Sequence, residues 1–335
     1  MTRDRPRIVV AGNLSLDDTV TPEASLLESP GGDALYASLG VLAWGGRPIL
    51  VTLVGSDYPP AHLVRMRAVG IDITHVRETE GPTVHYRVTY NPDGTRTFEW
   101  VGPEERLLLT SPESDDYAGV RSADWLHVAA MPIEAQEVAV AAARAAGTPI
   151  SLDPHEEYII GFEGRVRALV KDVVFMPSEL EARLLFPDLR RTDPIDFALD
   201  AAERLDEWGP RMTAIKLGSL GSVVRAEGRS VHVPAVEVPA VDPTGAGDAY
   251  CGGFVVGWLV TGSTVLAAAC GTIAAADMIG RFGAFTDERP ATSDRRLGLV
   301  RQLSSEVGEG GRLSTRDGVA SLARHLTGAA VGGET

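Results

Sequence analysis

Cysteine is nearly absent from this sequence: there are two in 335 residues, Cys251 and Cys270, each within an apolar, helix-like stretch. That excludes a disulfide framework and a thiolate metal site, and leaves two buried thiols of a reducing compartment. Positive charge is also scarce. With 31 Lys and Arg against 46 Asp and Glu, the formal charge is −15, so neither nucleic acid nor an anionic membrane is an expected partner, and any anionic ligand must be held by a local device. Long apolar runs are missing: the most apolar window, Phe254 to Val260, falls well short of the roughly 20 residues that cross a bilayer. The charged start, Met1 to Arg7, precedes only about four apolar residues before Gly12, against roughly 7–15 in a signal-peptide core, so a cytoplasmic protein is expected. There are no repeats, no heptads, no low-complexity block, no Walker A sequence and no complete G-x-G-x-x-G, which excludes a P-loop enzyme and a Rossmann dehydrogenase.

What remains is a globular composition, 44% hydrophobic, 23% charged and 6% aromatic, long enough for one elaborated α/β domain or two of roughly 150 residues. Ile8 to Ala11, Ile49 to Val54, Trp125 to Ala129, Pro149 to Asp153, Val173 to Met176 and Met212 to Leu217 are short, continuous apolar runs, the pattern of strands buried on both faces. Between them, Asp33 to Trp44, His62 to Val69, Glu134 to Ala146, Ser178 to Leu185 and Ile195 to Trp208 carry helical faces, and Gly70, Gly147 and Gly209 stop three of them. Alternation of this kind predicts a parallel sheet.

Thr83 to Val101 breaks the alternation. Val84, Tyr86 and Val88 alternate with His85, Arg87 and Thr89 ahead of a turn at Asn91-Pro92-Asp93-Gly94, predicting a hairpin with one apolar face, either a lid or a plain edge hairpin. After Pro290, two weak helical patterns, Arg295 to Leu303 and Asp317 to Leu326, flank a glycine-rich stretch, Val307 to Arg312, and look like an appendage.

Three segments carry chemistry. Asp242-Pro243-Thr244-Gly245-Ala246-Gly247-Asp248 ends a strand-like run, Val231 to Val241, and opens an apolar helix near Ala249. The glycines permit a tight turn, and free amides at a helix start make an anion site. Asp248 alone reads equally well as a helix cap; a second acid, Asp242, across the turn favours function, because two acids beside an anion site are costly unless each has a task, such as base or cation ligand. Pro30-Gly31-Gly32-Asp33-Ala34-Leu35-Tyr36-Ala37-Ser38 opens a helix at a glycine pair, a weak ligand signal. Ile215-Lys216-Leu217-Gly218-Ser219-Leu220-Gly221-Ser222-Val223 is two strand-like runs about a short turn, read as a tight hairpin or as a nucleotide contact with Lys216 on phosphate.

In this order and separation, these segments resemble the ribokinase-like (PfkB) carbohydrate kinases, over about Ile8 to Pro290. The resemblance implies an α/β fold, a ribokinase-like three-layer sandwich with a central mostly parallel sheet and a small β lid. Residues 1–290 would be the kinase domain, with a lid from about 13–22 and 83–101, and 291–335 a C-terminal extension. It implies ATP-dependent transfer of the γ-phosphoryl group to a hydroxyl of a small sugar, polyol or nucleoside. Asp248 would be the general base, and the backbone of Gly245, Ala246 and Gly247 the anion hole.

Gly12-Asn13-Leu14-Ser15-Leu16-Asp17 is similar to the family's first-strand motif, which makes Asp17 an acceptor ligand, with the adjacent Asp18 leaving the register open by one. Gly31 and Gly32 match the substrate-binding pair, while Tyr36 stands where many sugar kinases have Asn; an aromatic ring there brings nucleoside or inositol-like acceptors level with simple sugars. Ser178-Glu179-Leu180-Glu181 resembles the N-x-x-E motif that organises magnesium, with Ser for Asn and Glu181 kept. Lys216, Gly218 and Gly221 match the nucleotide turn, and Arg281-Phe282-Gly283-Ala284 the loop on the adenine side, with Gly283 a nucleotide contact. Asp242 and Thr244 imply a monovalent cation, potassium. The implied cofactors are thus ATP, Mg2+ and K+, and the implied assembly is a homodimer through the lid. The alternative is a non-catalytic ligand-binding protein that keeps the fold: the changes at Tyr36 and Ser178 favour it, and the intact Thr244 to Asp248 opposes it.

Overall fold

A computed structural model describes residues 5–91, 96–285, 292–307 and 315–327. The strands are β1 (Arg7–Ala11), β2 (Ser15–Val20), β3 (Ser25–Gly31), β4 (Arg47–Gly55), β5 (Asp72–Thr79), β6 (Val84–Tyr90), β7 (Arg96–Trp100), β8 (Trp125–Val128), β9 (Ile150–Leu152), β10 (Val174–Phe175), β11 (Met212–Lys216), β12 (Ser222–Ala226) and β13 (Arg229–Val233). The helices are α1 (Asp33–Ala43), α2 (Pro60–Val69), α3 (Arg106–Leu109), α4 (Ile133–Ala146), α5 (Glu163–Leu169), α6 (Glu179–Leu185), α7 (Pro194–Leu205), α8 (Ala246–Thr261), α9 (Thr264–Ile279), α10 (Ser293–Val307) and α11 (Thr315–Thr327).

Nine strands form the main sheet in the order β13-β12-β11-β10-β9-β8-β1-β4-β5. Pairing is parallel from β5 across to β11, and β12 and β13 add an antiparallel edge. Because side chains alternate along a strand, Ile8 and Val10 of β1 enter one core with α1, α8 and α9, while Val9 and Ala11 enter the other with α4, α5 and α7. Both faces of the sheet are therefore covered, which gives the three layers and explains the unbroken apolar runs. Gly70, Gly147 and Gly209 end their helices with φ of 104°, 71° and 78°, left-handed conformations that glycine adopts without strain. The helices α10 and α11 are not detached: Leu297, Val300, Leu303, Val319 and Leu322 belong to the α8–α9 core. No helix among the described residues is long and apolar enough to cross a membrane.

A second sheet, β3-β2-β6-β7, stands apart from the first. The hairpin of β6 and β7 forms as expected, although its turn, Pro92-Asp93-Gly94, lies outside the described residues, as does most of the glycine-rich stretch, from residue 308 to 312. The sheet's register puts Asp17 opposite Tyr86 and Tyr86 opposite Trp100, so these share one face; Asp18 lies opposite Arg87 on the other. The strand-like run Val231 to Val241 needs correcting: regular pairing stops at Val233, because Pro234 and Pro239 bring no N–H to a ladder. The following helix starts at Ala246, three residues ahead of the expected Ala249.

The chain crosses from β1 to β4 and β5 on one side and then returns to β8, β9, β10 and β11 on the other. That reversal beside β1 is a topological switch point, and ligands of open α/β sheets bind outside the carboxyl ends of the strands there.

Candidate active site

The residues after those carboxyl ends converge. Asp153 follows β9, Lys216 ends β11, and Asp248 lies in the first turn of α8. The Lys216 ammonium donates to Asp153 Oδ2 at 2.5 Å and lies 3.8 Å from Cys251 Sγ, one turn below Asp248. The same ammonium is 3.6 Å from where a Cβ on Gly247 would stand, so it sits beneath the Gly245-Ala246-Gly247 turn and not at the exposed Gly218–Leu220 turn. Gly245 has φ 73° and caps α8; a Cβ there would lie 2.1 Å from Cγ of Tyr36. The glycine is thus required twice, by conformation and by the ring packed against it. The Ala246 amide donates to the Pro243 carbonyl at 3.3 Å and the Ala249 amide to the Gly245 carbonyl at 2.9 Å, which leaves the Gly247 and Asp248 amides of the first turn without a helical partner, beside a carboxylate.

Electrostatics follow from burial. The Asp248 carboxyl is pushed up to about 7 by desolvation and by Asp153, with Lys216 opposing. Glu181 is raised to about 7 by desolvation and by Asp153, again against Lys216. Ser178 and Glu181 form a reciprocal capping box at the start of α6, with the Ser178 amide donating to Glu181 Oε2 at 2.5 Å. One ammonium therefore serves Asp153, Glu181, Asp248 and Asp33.

Among the described residues no three His, Cys, Asp or Glu side chains converge to hold a metal by themselves. The residues nevertheless suit a magnesium ion that arrives with phosphates. Asp153 Oδ1 is buried without a hydrogen-bond partner, and carboxylates outnumber the ammonium. Asp153 and Glu181 are the side chains that would hold its water shell.

On the lid side Asp17 and Asp18 face opposite ways. Asp17 faces inward against Gly31, where a Cβ would lie 1.8 Å from its Oδ2, and burial raises its carboxyl to about 6 despite a hydrogen bond from Ser15. Asp18 faces outward, to Arg87 at 2.7 Å and His85 at 3.1 Å. Gly32, with φ 98°, lies where a Cβ would meet the Asn13 carbonyl at 2.3 Å, and Tyr36 is 3% exposed.

Asp242 ties three stretches together. Its Oδ1 accepts from Tyr90 Oη at 3.1 Å and from the Thr244 amide at 3.0 Å, and its Oδ2 from the Gly283 amide at 3.2 Å. Gly283 therefore contacts Asp242, and a Cβ on it would meet Leu26 of the lid at 2.7 Å. Both Asp242 oxygens already serve protein donors. At the turn after β11, Gly218 is open, whereas Gly221, with φ 93°, is imposed by packing, since a Cβ would lie 2.0 Å from the Val233 carbonyl.

Sequence reasoning missed Asp33, Asp153, Tyr86 and Tyr90. One signal was available for the centre of the cluster: only two of the 31 basic residues are lysines, and Lys216 is one of them. A lysine held where arginine is otherwise used marks a site that needs a compact point charge. A groove of about 500 Å3 lined by Leu108, Ser111, Glu113 and Glu134 contains none of these residues.

Comparison with known proteins agrees with this geometry. The chain is 29% identical over 259 residues to a cytidine kinase of Thermococcus kodakarensis, covering 75% of this chain and 88% of that protein. It is 29% identical over 272 residues to a fructokinase of Escherichia coli, covering 76% and 85%. An E. coli structure described as a ribokinase II in complex with ATP and Mg2+ superposes with a TM-score of 0.70 at 19% identity, over 89% of this chain and 99% of that one, and shares its fold. The family model for pfkB family carbohydrate kinases matches residues 7–291, and this protein belongs to that family of kinases.

Proposed function

We propose that the protein transfers the γ-phosphoryl group of ATP to a hydroxyl of a sugar, polyol or nucleoside, with Asp248 as general base. The observation that carries this is a carboxylate, with its proton affinity moved to about 7, in the first turn of α8 beside the glycine turn that opens that helix. A base poised near neutral pH is matched to taking a proton from a hydroxyl. As the acceptor oxygen forms its bond to the γ-phosphorus and the bond to the β-phosphate oxygen breaks, the proton passes to Asp248 and ADP leaves. The amides around Gly245, Ala246 and Gly247 face the charge that spreads over the transferred group, aided by Lys216 beneath them. Glu181 and Asp153 would hold the surroundings of a magnesium ion arriving with ATP, which would supply neutralisation of phosphate charge.

Asp17 orients the acceptor, Gly31 and Gly32 let it approach the backbone, and Gly218 lies open beside the nucleotide. Residues 1–290 act as the kinase domain, with α10 and α11 completing its core. We assign no step to potassium, because the Asp242 and Thr244 groups bond to Tyr90, to Gly283 and to each other. The apolar face of the lid, with Tyr86, Phe98 and Trp100, shares the side of Asp17. Phe98 on that face is 59% exposed, so apolar surface remains that the lid of a second copy would cover in a homodimer.

The test is acceptor-dependent ADP formation across sugars, polyols and nucleosides, with Asp248→Asn as the matched control. Turnover that collapses in the variant supports the reading; equal turnover in both proteins overturns the role of Asp248.

A further inference from the structure

The acceptor end of the site holds groups for which the protein provides no partner. Asp33 follows Gly32 directly and opens α1, yet it makes no cap hydrogen bond. It is partly buried, and its carboxylate joins no hydrogen bond or ion pair among the described residues. The charges that act on it are Asp248, Asp153 and Asp17, with Lys216 the one cation, and Lys216 is already held by Asp153. A helix start favours an acid only modestly, whereas burial among three other carboxylates is costly. A role confined to the helix therefore does not account for Asp33.

Tyr36 is similar. Its hydroxyl makes no hydrogen bond among the described residues, the residue is 3% exposed, and its charged neighbours are Asp17, Asp242 and Asp248. Across from these groups stands the inner face of the lid. Tyr86 has the rings of Phe98 and Trp100 at centroid distances of 4.8 and 4.5 Å, and the acids acting on it are Asp33, Asp17 and Glu157. The lid's own cations, Arg87 and His85, point to the outer face and are used by Asp18.

Resting on the kinase reading above, we propose that the acceptor presents an amino nitrogen, as an ammonium or an exocyclic amine, to Asp33 and to the aromatic tier of Tyr86, Phe98 and Trp100, and that acceptors bearing a phosphate are rejected. Carboxylates and aromatic faces share one preference: both attract N–H donors and positive charge. Both also repel anions, and Lys216, the cation that acts on Asp33, is already held by Asp153. A neutral hydroxyl can accept or donate at Asp33, but it brings no charge to offset the carboxylates around it.

The experiment uses matched acceptors that differ at one group: glucosamine, glucose and N-acetylglucosamine; cytidine and uridine; ribose and ribose 5-phosphate. Each is assayed for kcat/KM with Mg·ATP and for binding by calorimetry without ATP. The amine member of at least one set is expected to exceed its oxygen counterpart by about tenfold or more, with acetylation removing the advantage and phosphate abolishing turnover. Asp33→Asn is expected to bring the amine-to-oxygen ratio to within about threefold of one. Equal kcat/KM for amine and oxygen members, or ready turnover of the phosphorylated sugar, overturns this proposal and leaves the kinase reading standing. If no acceptor supports ADP formation, the kinase reading fails, and calorimetry decides the present one: amine-selective binding supports it, and no binding of any amine member overturns it. Should Asp33→Asn fail to fold, the wild-type ratios alone decide between these outcomes.

Discussion

Asp17 and Asp18 are neighbours in sequence and opposites in surroundings. Both belong to β2, but the pleat sends one to each face of the lid. Asp18 accepts from the Glu28 amide, Arg87 and His85, and although burial opposes them these donors hold its carboxyl below the usual 3.8. Asp17, with Ser15 as its donor, is carried by burial to about 6. The protein completes the bonding of the outer acid and leaves the inner one needing more. The same contrast separates Asp116, bonded through both oxygens by Arg77, from Asp33, which has no bonding partner among the described residues. Acids that the fold satisfies read as structural, and acids that it buries unsatisfied are the candidates for a ligand.

Three substitutions press on this difference. The largest effect is expected at Asp248→Asn: kcat falls by about 10²–10⁴, while the melting temperature at pH 8 stays level or rises, because a buried charge beside other carboxylates is removed. A melting temperature that drops by several degrees would place Asp248 with the satisfied acids. Next is Asp17→Asn, for which kcat/KM for the acceptor falls about 10–100-fold, the size of a hydrogen bond to a charged group, with KM for ATP unchanged. The smallest catalytic effect is expected at Asp18→Asn, which costs about 1–2 kcal/mol of stability by denaturant titration and changes kcat/KM little. An acceptor KM that moves as much in Asp18→Asn as in Asp17→Asn would erase the distinction.

Acidity separates the two groups as well. The Asp18 carboxyl is lowered in the folded protein, so its contribution is complete above the unfolded value and is lost as pH falls below 3.8. The Asp17 and Asp248 carboxyls are raised to about 6 and 7, so the folded state binds their protons more tightly, and they cost stability as pH climbs from 3.8 through those values. Activity has the reverse sign: kcat/KM rises with pH to a plateau above about 7 as the base ionises. A profile flat between pH 5 and 8 would separate catalysis from Asp248.

The sequence displayed whatever is local. The turn from Asp242 to Asp248 is legible because glycines, acids and the following helix are contiguous, and the sheet because strands buried on both faces write themselves as unbroken apolar runs. β2 was illegible as a strand because its inner face carries Ser15, Asp17 and Thr19, residues suited to a ligand and not to a core. The bond between Lys216 and Asp153 spans 63 residues and arises only when β9 and β11 are aligned through β10. Asp33 was in plain view after Gly31-Gly32, but a helix start excuses an acid, and its isolation among carboxylates needs three dimensions to see.

Asp242 collects Tyr90 from the tip of the lid strand, Thr244 from the turn before α8, and Gly283 from beyond α9. A single side chain thereby fixes how the small sheet, the turn before α8 and the far loop stand relative to one another. Damage at any of the three attachments is transmitted to the same knot, so changes as distant in sequence as Tyr90→Phe and a bulkier residue at Gly283 should share one kinetic signature, a slower phosphoryl transfer with the affinity for both substrates preserved.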